Sequence, residues 1–464
     1  MSANESLGLP KGFELGVATA SYQIEGAIAA DGRGPSIWDT FSHTPGKVAG
    51  GDNGDVACDH YHRYPEDVQL MADLGVDSYR LSVAWPRIQP TGKGPANEEG
   101  LAFYDRLVDA LLDKGIAPAI TLYHWDLPQP LEDAGGWRVR DTAERFAEYS
   151  EIVHAHLSDR VTRWITLNEP YCSSILGYGN GRHAPGAQEG DGALAAAHHL
   201  LLGHGLAIER LRASGSGSPD QQLGITLNLQ PVASVTDSAD DRAAADRSLL
   251  AANRLFTDPV LAGTYPELAR TVYSGLTDFS WIQDGDLETI SAPLDFLGVN
   301  YYFPSNVVAA DYDEPDPARR TAADLAFKEV IADGEERTEM GWPVDSDGLR
   351  RLLRWLHDTY PTLPPVYITE NGRACDDVVA SNGHVHDPDR VRYLEDHLRA
   401  VVAATHEGVD VRGYYCWSLL DNFEWAEGYA RRFGLVYVDY ETQQRIPKSS
   451  FEWYRRLIAR QHAG

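Results

Sequence analysis

Arg163-Trp164-Ile165-Thr166-Leu167-Asn168 is a strand-length run, rich in aromatic and branched side chains, that leads straight into Glu169-Pro170. It lacks the strict polar and apolar alternation of a half-exposed strand, and so suits a strand covered on both faces. Val366-Tyr367-Ile368-Thr369-Glu370 has the same character and also ends on a glutamate. Working outward from these two, six further runs appear: Phe13 to Ala20, Ser78 to Trp85, Ala117 to Trp125, Leu223 to Leu229, Phe296 to Tyr302 and Val411 to Leu419. Helical spacing fills the intervals. Leu101, Tyr104, Leu107, Val108, Leu111 and Leu112 form one stripe, and Val391, Leu394, Leu398, Val401 and Val402 another. Pro65, followed by Glu66 and Asp67, predicts a helix start there, because proline suits the first position and acids suit the first turn.

Eight buried strands alternating with helices predict an α/β fold, a single (β/α)8 TIM barrel with extended βα loops, spanning residues 1–464 as one catalytic domain. Two segments depart from the alternation. Ser214 to Gln222, rich in Gly, Ser and Pro, reads as a surface loop. The acidic stretch Pro304 to Gly341 is long enough to reach over the barrel mouth, or to be an idle insertion.

Composition narrows the function. With 43% hydrophobic residues in 464, the chain can bury a large core unaided. Its 69 Asp and Glu against 40 Lys and Arg give a net charge of -29, which repels phosphate backbones and anionic membranes, so neither nucleic acid nor membrane is an expected partner. Cys58, Cys172, Cys375 and Cys416 are too dispersed for a metal knuckle or a disulfide framework. Met1 to Pro10 has no basic region followed by an apolar run, and no stretch of about 18 apolar residues occurs. A cytoplasmic protein is expected.

In such a barrel the pocket is built at the carboxyl ends of the strands. Asn168-Glu169-Pro170 lies at the end of the fourth run and Thr369-Glu370-Asn371-Gly372 at the end of the seventh, so two carboxyl groups face each other across the mouth. One glutamate alone reads as a solvated charge; a facing pair is what glycosidic cleavage requires. These motifs, in this order, resemble glycoside hydrolase family 1, which includes many β-glucosidases, and the likeness runs nearly end to end. The resemblance implies retaining hydrolysis of terminal β-D-glucosyl residues on a small carbohydrate. Glu169 would be the acid/base and Glu370 the nucleophile. A galactosidase, a fucosidase or a transglycosylase of the same family is the alternative.

The same resemblance implies further site residues. Arg80, in Tyr79-Arg80-Leu81-Ser82, would place a cation beside Glu370 and favour its charged form. Glu169 would be kept protonated by its neighbouring carboxylate until Glu370 is glycosylated. A short separation, about 5 to 5.5 Å, is predicted, and with it a bell-shaped pH profile. Gln23, His124, Trp125, Glu424 and Trp425 would hold sugar hydroxyls, Asn168 the 2-hydroxyl, and Trp417 an apolar sugar face. Tyr302 would bond the nucleophile, Asn300 and Phe433 would line the same subsite, and Trp342 would form a leaving-group platform with Cys172 and His183 near it. A carboxylate at Glu424 would repel a sugar 6-phosphate, and glutamate rather than glutamine at position 169 argues against thioglucosidases. The chain departs from the family at Gly372-Arg373-Ala374-Cys375, which bears on leaving-group preference.

Other classes fit less well. His60 and His62 beside Asp55 and Asp59, and the adjacent His198 and His199, lack the helical i, i+4 spacing of a zinc pair, so no metal is expected. A binding-only barrel would have lost one of the two glutamates. No glycine-rich strand-to-helix turn suggests a nucleotide, so no cofactor is expected. Monomer and homodimer both remain compatible with the sequence.

Overall fold

The computed structural model describes residues 7–215, 217–316 and 319–463. Eight strands close into a parallel barrel whose order around the ring follows the chain: β1 Glu14–Ala18, β2 Ser78–Ser82, β3 Ala117–Tyr123, β4 Arg163–Asn168, β5 Gln222–Asn228, β6 Phe296–Asn300, β7 Val366–Asn371 and β8 Val411–Trp417. Each lies within or beside one of the eight predicted runs. β2, β6 and β7 are buried at every position, which explains why their sequences do not alternate. The helix Glu98–Asp113 buries Leu101, Tyr104, Leu107, Val108 and Leu111, while Leu112 stays exposed. No helix among the described residues is long and apolar enough to cross a membrane.

Ladder irregularities sit where the chemistry is expected. The β4–β5 register shifts between Ile165 and Asn168, and the β6–β7 register shifts between Ile368 and Glu370, which then pairs with Asn300. Such bulges re-aim side chains at strand ends. At the other end of the barrel, Arg163 is held by Glu14 at 2.5 Å and Tyr415 at 2.7 Å, and its guanidinium lies over the Tyr367 ring.

Two expectations change, and one open alternative is decided. The helix predicted to start at Pro65 begins at His60, and Pro65 lies inside it. Asp59 turns the chain with a φ of 51°, and Asp67 is drawn into the core by Arg445 and His60 rather than serving the first turn. Pro304 to Gly341 is not idle: it carries the short strands Ser305–Ala309 and Phe327–Glu329, and Glu329 and Met340 reach the cavity wall. Residues 317 and 318 of that segment lie outside the described residues, as do Met1 to Ser6 of the N-terminal stretch. Ser214 to Gln222 follows the helix Asp191–Ala213 and leads into β5, at the barrel end away from the pocket; its Ser216 is also outside the described residues.

Candidate active site

A cavity of about 260 Å³ opens where the carboxyl ends of the strands converge. Glu169, Glu370, His124, Trp125, Asn300, Tyr302, Trp342, Trp417, Glu424, Trp425 and Phe433 line it, together with Cys172 and His183. Arg80, Asn168 and Gln23 stand behind this lining, each at most 1% exposed.

The network joining these residues has one polarity, set by Arg80. Its guanidinium can only donate; Nη1 reaches Glu370 Oε1 at 2.5 Å and Nη2 reaches Asn168 Oδ1 at 2.6 Å. Asn168 therefore turns its Nδ2 to His124 Nε2 at 3.0 Å. Burial and the Arg80 charge hold the His124 pKa well below its usual value, so the ring is neutral, its Nε2 accepts, and its Nδ1 is left without a protein partner. Asn300 Nδ2 donates to Asn168 Oδ1 at 3.1 Å and to Glu169 Oε1 at 2.6 Å, while its Oδ1 accepts from Thr369 Oγ1 at 2.7 Å. Tyr302 donates to Glu370 Oε2 at 2.7 Å.

The two glutamates thus have opposite surroundings. Glu370 accepts from a cation and a phenol. Glu169 accepts only from neutral groups, Asn300 and the Cys172 thiol at 3.1 Å. Burial, and then the charge of Glu370, raise the Glu169 pKa well above the usual carboxyl range, so it holds its proton at neutral pH. Glu169 also adopts a φ of 47°, a left-handed conformation that costs a non-glycine residue energy.

Burial, and then the nearby Glu370 and Glu169, raise the Glu424 pKa to about 8. Among the described residues no lysine lines the cavity, and Arg182 is paired with Glu427 at 3.4 Å. Glu424 Oε2 and Gln23 Oε1 are buried without protein partners; the Gln23 amide donates to Asn422 Oδ1 and to the Phe423 carbonyl, both at 2.9 Å.

The Glycosyl hydrolase family 1 profile matches residues 6–463. The chain belongs to glycosyl hydrolase family 1. It is a glycoside hydrolase of the retaining β-glucosidase type. It is 53% identical over 455 residues to thermostable beta-glucosidase B of Thermobispora bispora, covering 98% of this chain and 91% of the relative. It is 50% identical over 460 residues to a bifunctional beta-D-glucosidase/beta-D-fucosidase of Bifidobacterium breve, covering 97% and 98%. Among solved structures, the psychrophilic beta-glucosidase of Micrococcus antarcticus matches with a TM-score of 0.93 and 49% identity, over 99% of this chain and 100% of the other.

Within this family 1 enzyme, Gly372 to Cys375 lie off the cavity lining, and Arg373 instead pairs with Glu336. Wall residues the sequence reading overlooked include Asn228, Gln230, Phe303 and Met340. Asn228 ends β5, so the strand-end rule that found Glu169 would have found it too; Met340 carries no such signal. Among the described residues no group of three or more His, Cys, Asp or Glu side chains could hold a metal ion; His60 pairs with Asp67, and His198 with Asp286.

Proposed function

We propose that the enzyme removes terminal non-reducing β-D-glucosyl residues from cellobiose, cello-oligosaccharides and aryl β-glucosides, with Glu370 as nucleophile and Glu169 as acid/base, in one catalytic domain spanning residues 1–464. The observation that carries this reading is the contrast between the two carboxyl groups: Arg80 and Tyr302 bond Glu370, whereas buried Glu169 meets only neutral donors. A carboxyl separation of about 5 to 5.5 Å belongs to the scheme, and the effect of Glu370 on Glu169 supports close approach.

In the first step Glu169 passes its proton to the glycosidic oxygen as the C1–O bond breaks, and Glu370 forms a bond to C1. In the second, Glu169, now a carboxylate, takes a proton from water, whose oxygen displaces Glu370 from C1. Asn168 has a second amide hydrogen available for the sugar 2-hydroxyl, a contact that strengthens as C1 gains positive charge. His124 Nδ1, Gln23 Oε1 and Glu424 Oε2, each without a protein partner, suit the remaining hydroxyls. Trp417 offers a ring face for the sugar, and Trp342, stacked on Phe303 with centroids 4.8 Å apart, suits the leaving group.

Proton nuclear magnetic resonance of aryl β-glucoside hydrolysis is expected to show β-glucose as the first-formed anomer; α-glucose appearing first would refute the scheme. Run beside it, a panel of nitrophenyl β-glycosides is expected to rank glucoside and fucoside above the rest, since the Bifidobacterium relative is named for both activities. The four unpaired thiols support a reducing, cytoplasmic location.

A further inference from the structure

The turn that follows β4 brings a thiol back onto the acid/base. Glu169 leaves the strand at a φ of 47°, and the Cys172 N–H then donates to the Glu169 carbonyl at 2.9 Å. This folds the Cys172 side chain over the Glu169 carboxyl group, with Sγ 3.1 Å from Oε2. The other carboxyl oxygen is already committed. Asn300 presents its Nδ2 to Oε1, and that orientation is fixed twice, by Thr369 donating to its Oδ1 and by the Asn168 oxygen that Arg80 holds in place. An amide nitrogen cannot accept a hydrogen bond, so Oε1 stays an acceptor and the acidic hydrogen is directed to Oε2. A thiol, unlike the amide, can work both ways: S–H donates to the carboxylate, and the sulfur accepts weakly from the protonated acid.

We propose that Cys172 is a positioning residue of the acid/base, its thiol holding in place Glu169 Oε2, the oxygen that Asn300 leaves to carry the transferred proton. The thiol reorients as Glu169 is deprotonated and reprotonated, and Cys172 itself neither gains nor loses a bond to the sugar. Cys172 and Glu169 both line the cavity, so the thiol and Oε2 meet at its wall. This inference rests on Glu169 being the acid/base, which the azide experiment discussed below decides separately.

The test compares Cys172→Ala and Cys172→Val, which lack the donor, with Cys172→Ser, which keeps one. The charged and titratable groups around Glu169 are Glu370 on β7, Arg80 on β2, Tyr302 after β6 and Glu424 after β8, and none is altered by these substitutions. Without a donor to Oε2 the charged form of Glu169 is disfavoured, so the alkaline limb of kcat/KM is expected to move to higher pH in the Ala and Val variants. Cellobiose, whose leaving group needs the proton, is expected to lose roughly fivefold in kcat/KM, the scale of one hydrogen bond. A 2,4-dinitrophenyl β-glucoside, whose leaving group departs unassisted, is expected to lose less than about twofold, and Cys172→Ser to restore both the limb and cellobiose. A merely structural role would lower both substrates alike and leave the limb in place. Equal losses, an unmoved limb, or a serine variant no better than alanine would each overturn the proposal. If Ala fails to fold, the Val and Ser variants still carry the comparison.

Discussion

Glu370→Ala is expected to lose at least about four orders of magnitude in aryl β-glucoside turnover, as removal of a nucleophile does elsewhere. Azide is expected to restore activity with α-glucosyl azide as the product. The small anion fits the space left by the side chain and attacks C1 from that face, while Glu169 still supplies the proton. Glu169→Ala should behave in the complementary way. Substrates that need an acid are expected to lose about 10² to 10⁴ in rate, while azide, now acting from the face the leaving group has quitted, is expected to give β-glucosyl azide. The stereochemistry therefore assigns each role separately. An α-azide from the Glu169 variant would exchange the two roles.

The second large effect concerns stability rather than chemistry. Lys448, fully buried, places Nζ 2.6 Å from Asp377 and 2.6 Å from Asp421, and Asp377 is also held by the buried Arg390 at 2.7 Å. Lys448→Met would remove one of two cations from each buried carboxylate, leaving Arg390 on Asp377 and Arg432 on Asp421, a loss of about 3 kcal/mol. Burial alone would push the Asp377 pKa up, and the charges of Arg390 and Lys448 outweigh it, leaving the group below its ordinary value. A depressed carboxyl contributes stability above its unfolded pKa, about 3.9, and loses it only as pH falls through the lower folded value. The comparison should therefore be made at neutral pH, where the contribution is complete. Arg399 pairs with Glu395 at 2.7 Å with both side chains more than a third exposed; Arg399→Met is expected to cost at most about 0.5 kcal/mol. Calorimetry showing the two variants melting together would contradict the assignment.

The barrel was legible because its strands are covered on both faces and so leave near-continuous apolar runs. Where the runs overreached, local geometry is the reason: Trp85, placed at the end of a predicted strand, is the first residue of the helix Trp85–Ile88 and is just as buried. Burial by strand and burial by helix leave the same mark in such a short stretch. Pro65 misled because proline is accommodated inside the helix, whereas Asp59, a residue type that suits the cap position, marks the start without making a side-chain cap bond. At the site, Glu169 and Glu370 were legible from their motifs. The direction of the hydrogen bonds was not: it follows from Arg80, Asn168 and Asn300 meeting across β2, β4 and β6, which no spacing encodes. The raised pKa of Glu424 was hidden for the same reason, since it depends on burial and on two carboxyl groups remote in the chain.

The most direct test of the central claim is to trap the intermediate. Incubation with an activated 2-deoxy-2-fluoro-β-glucoside, which is transferred to the enzyme faster than water removes it, followed by proteolysis and mass spectrometry, should locate the sugar. The account predicts one fluoroglucosyl group, esterified to Glu370 in the peptide Val366-Tyr367-Ile368-Thr369-Glu370-Asn371. A label on Glu169, or inactivation with no covalent sugar on either glutamate, would contradict it.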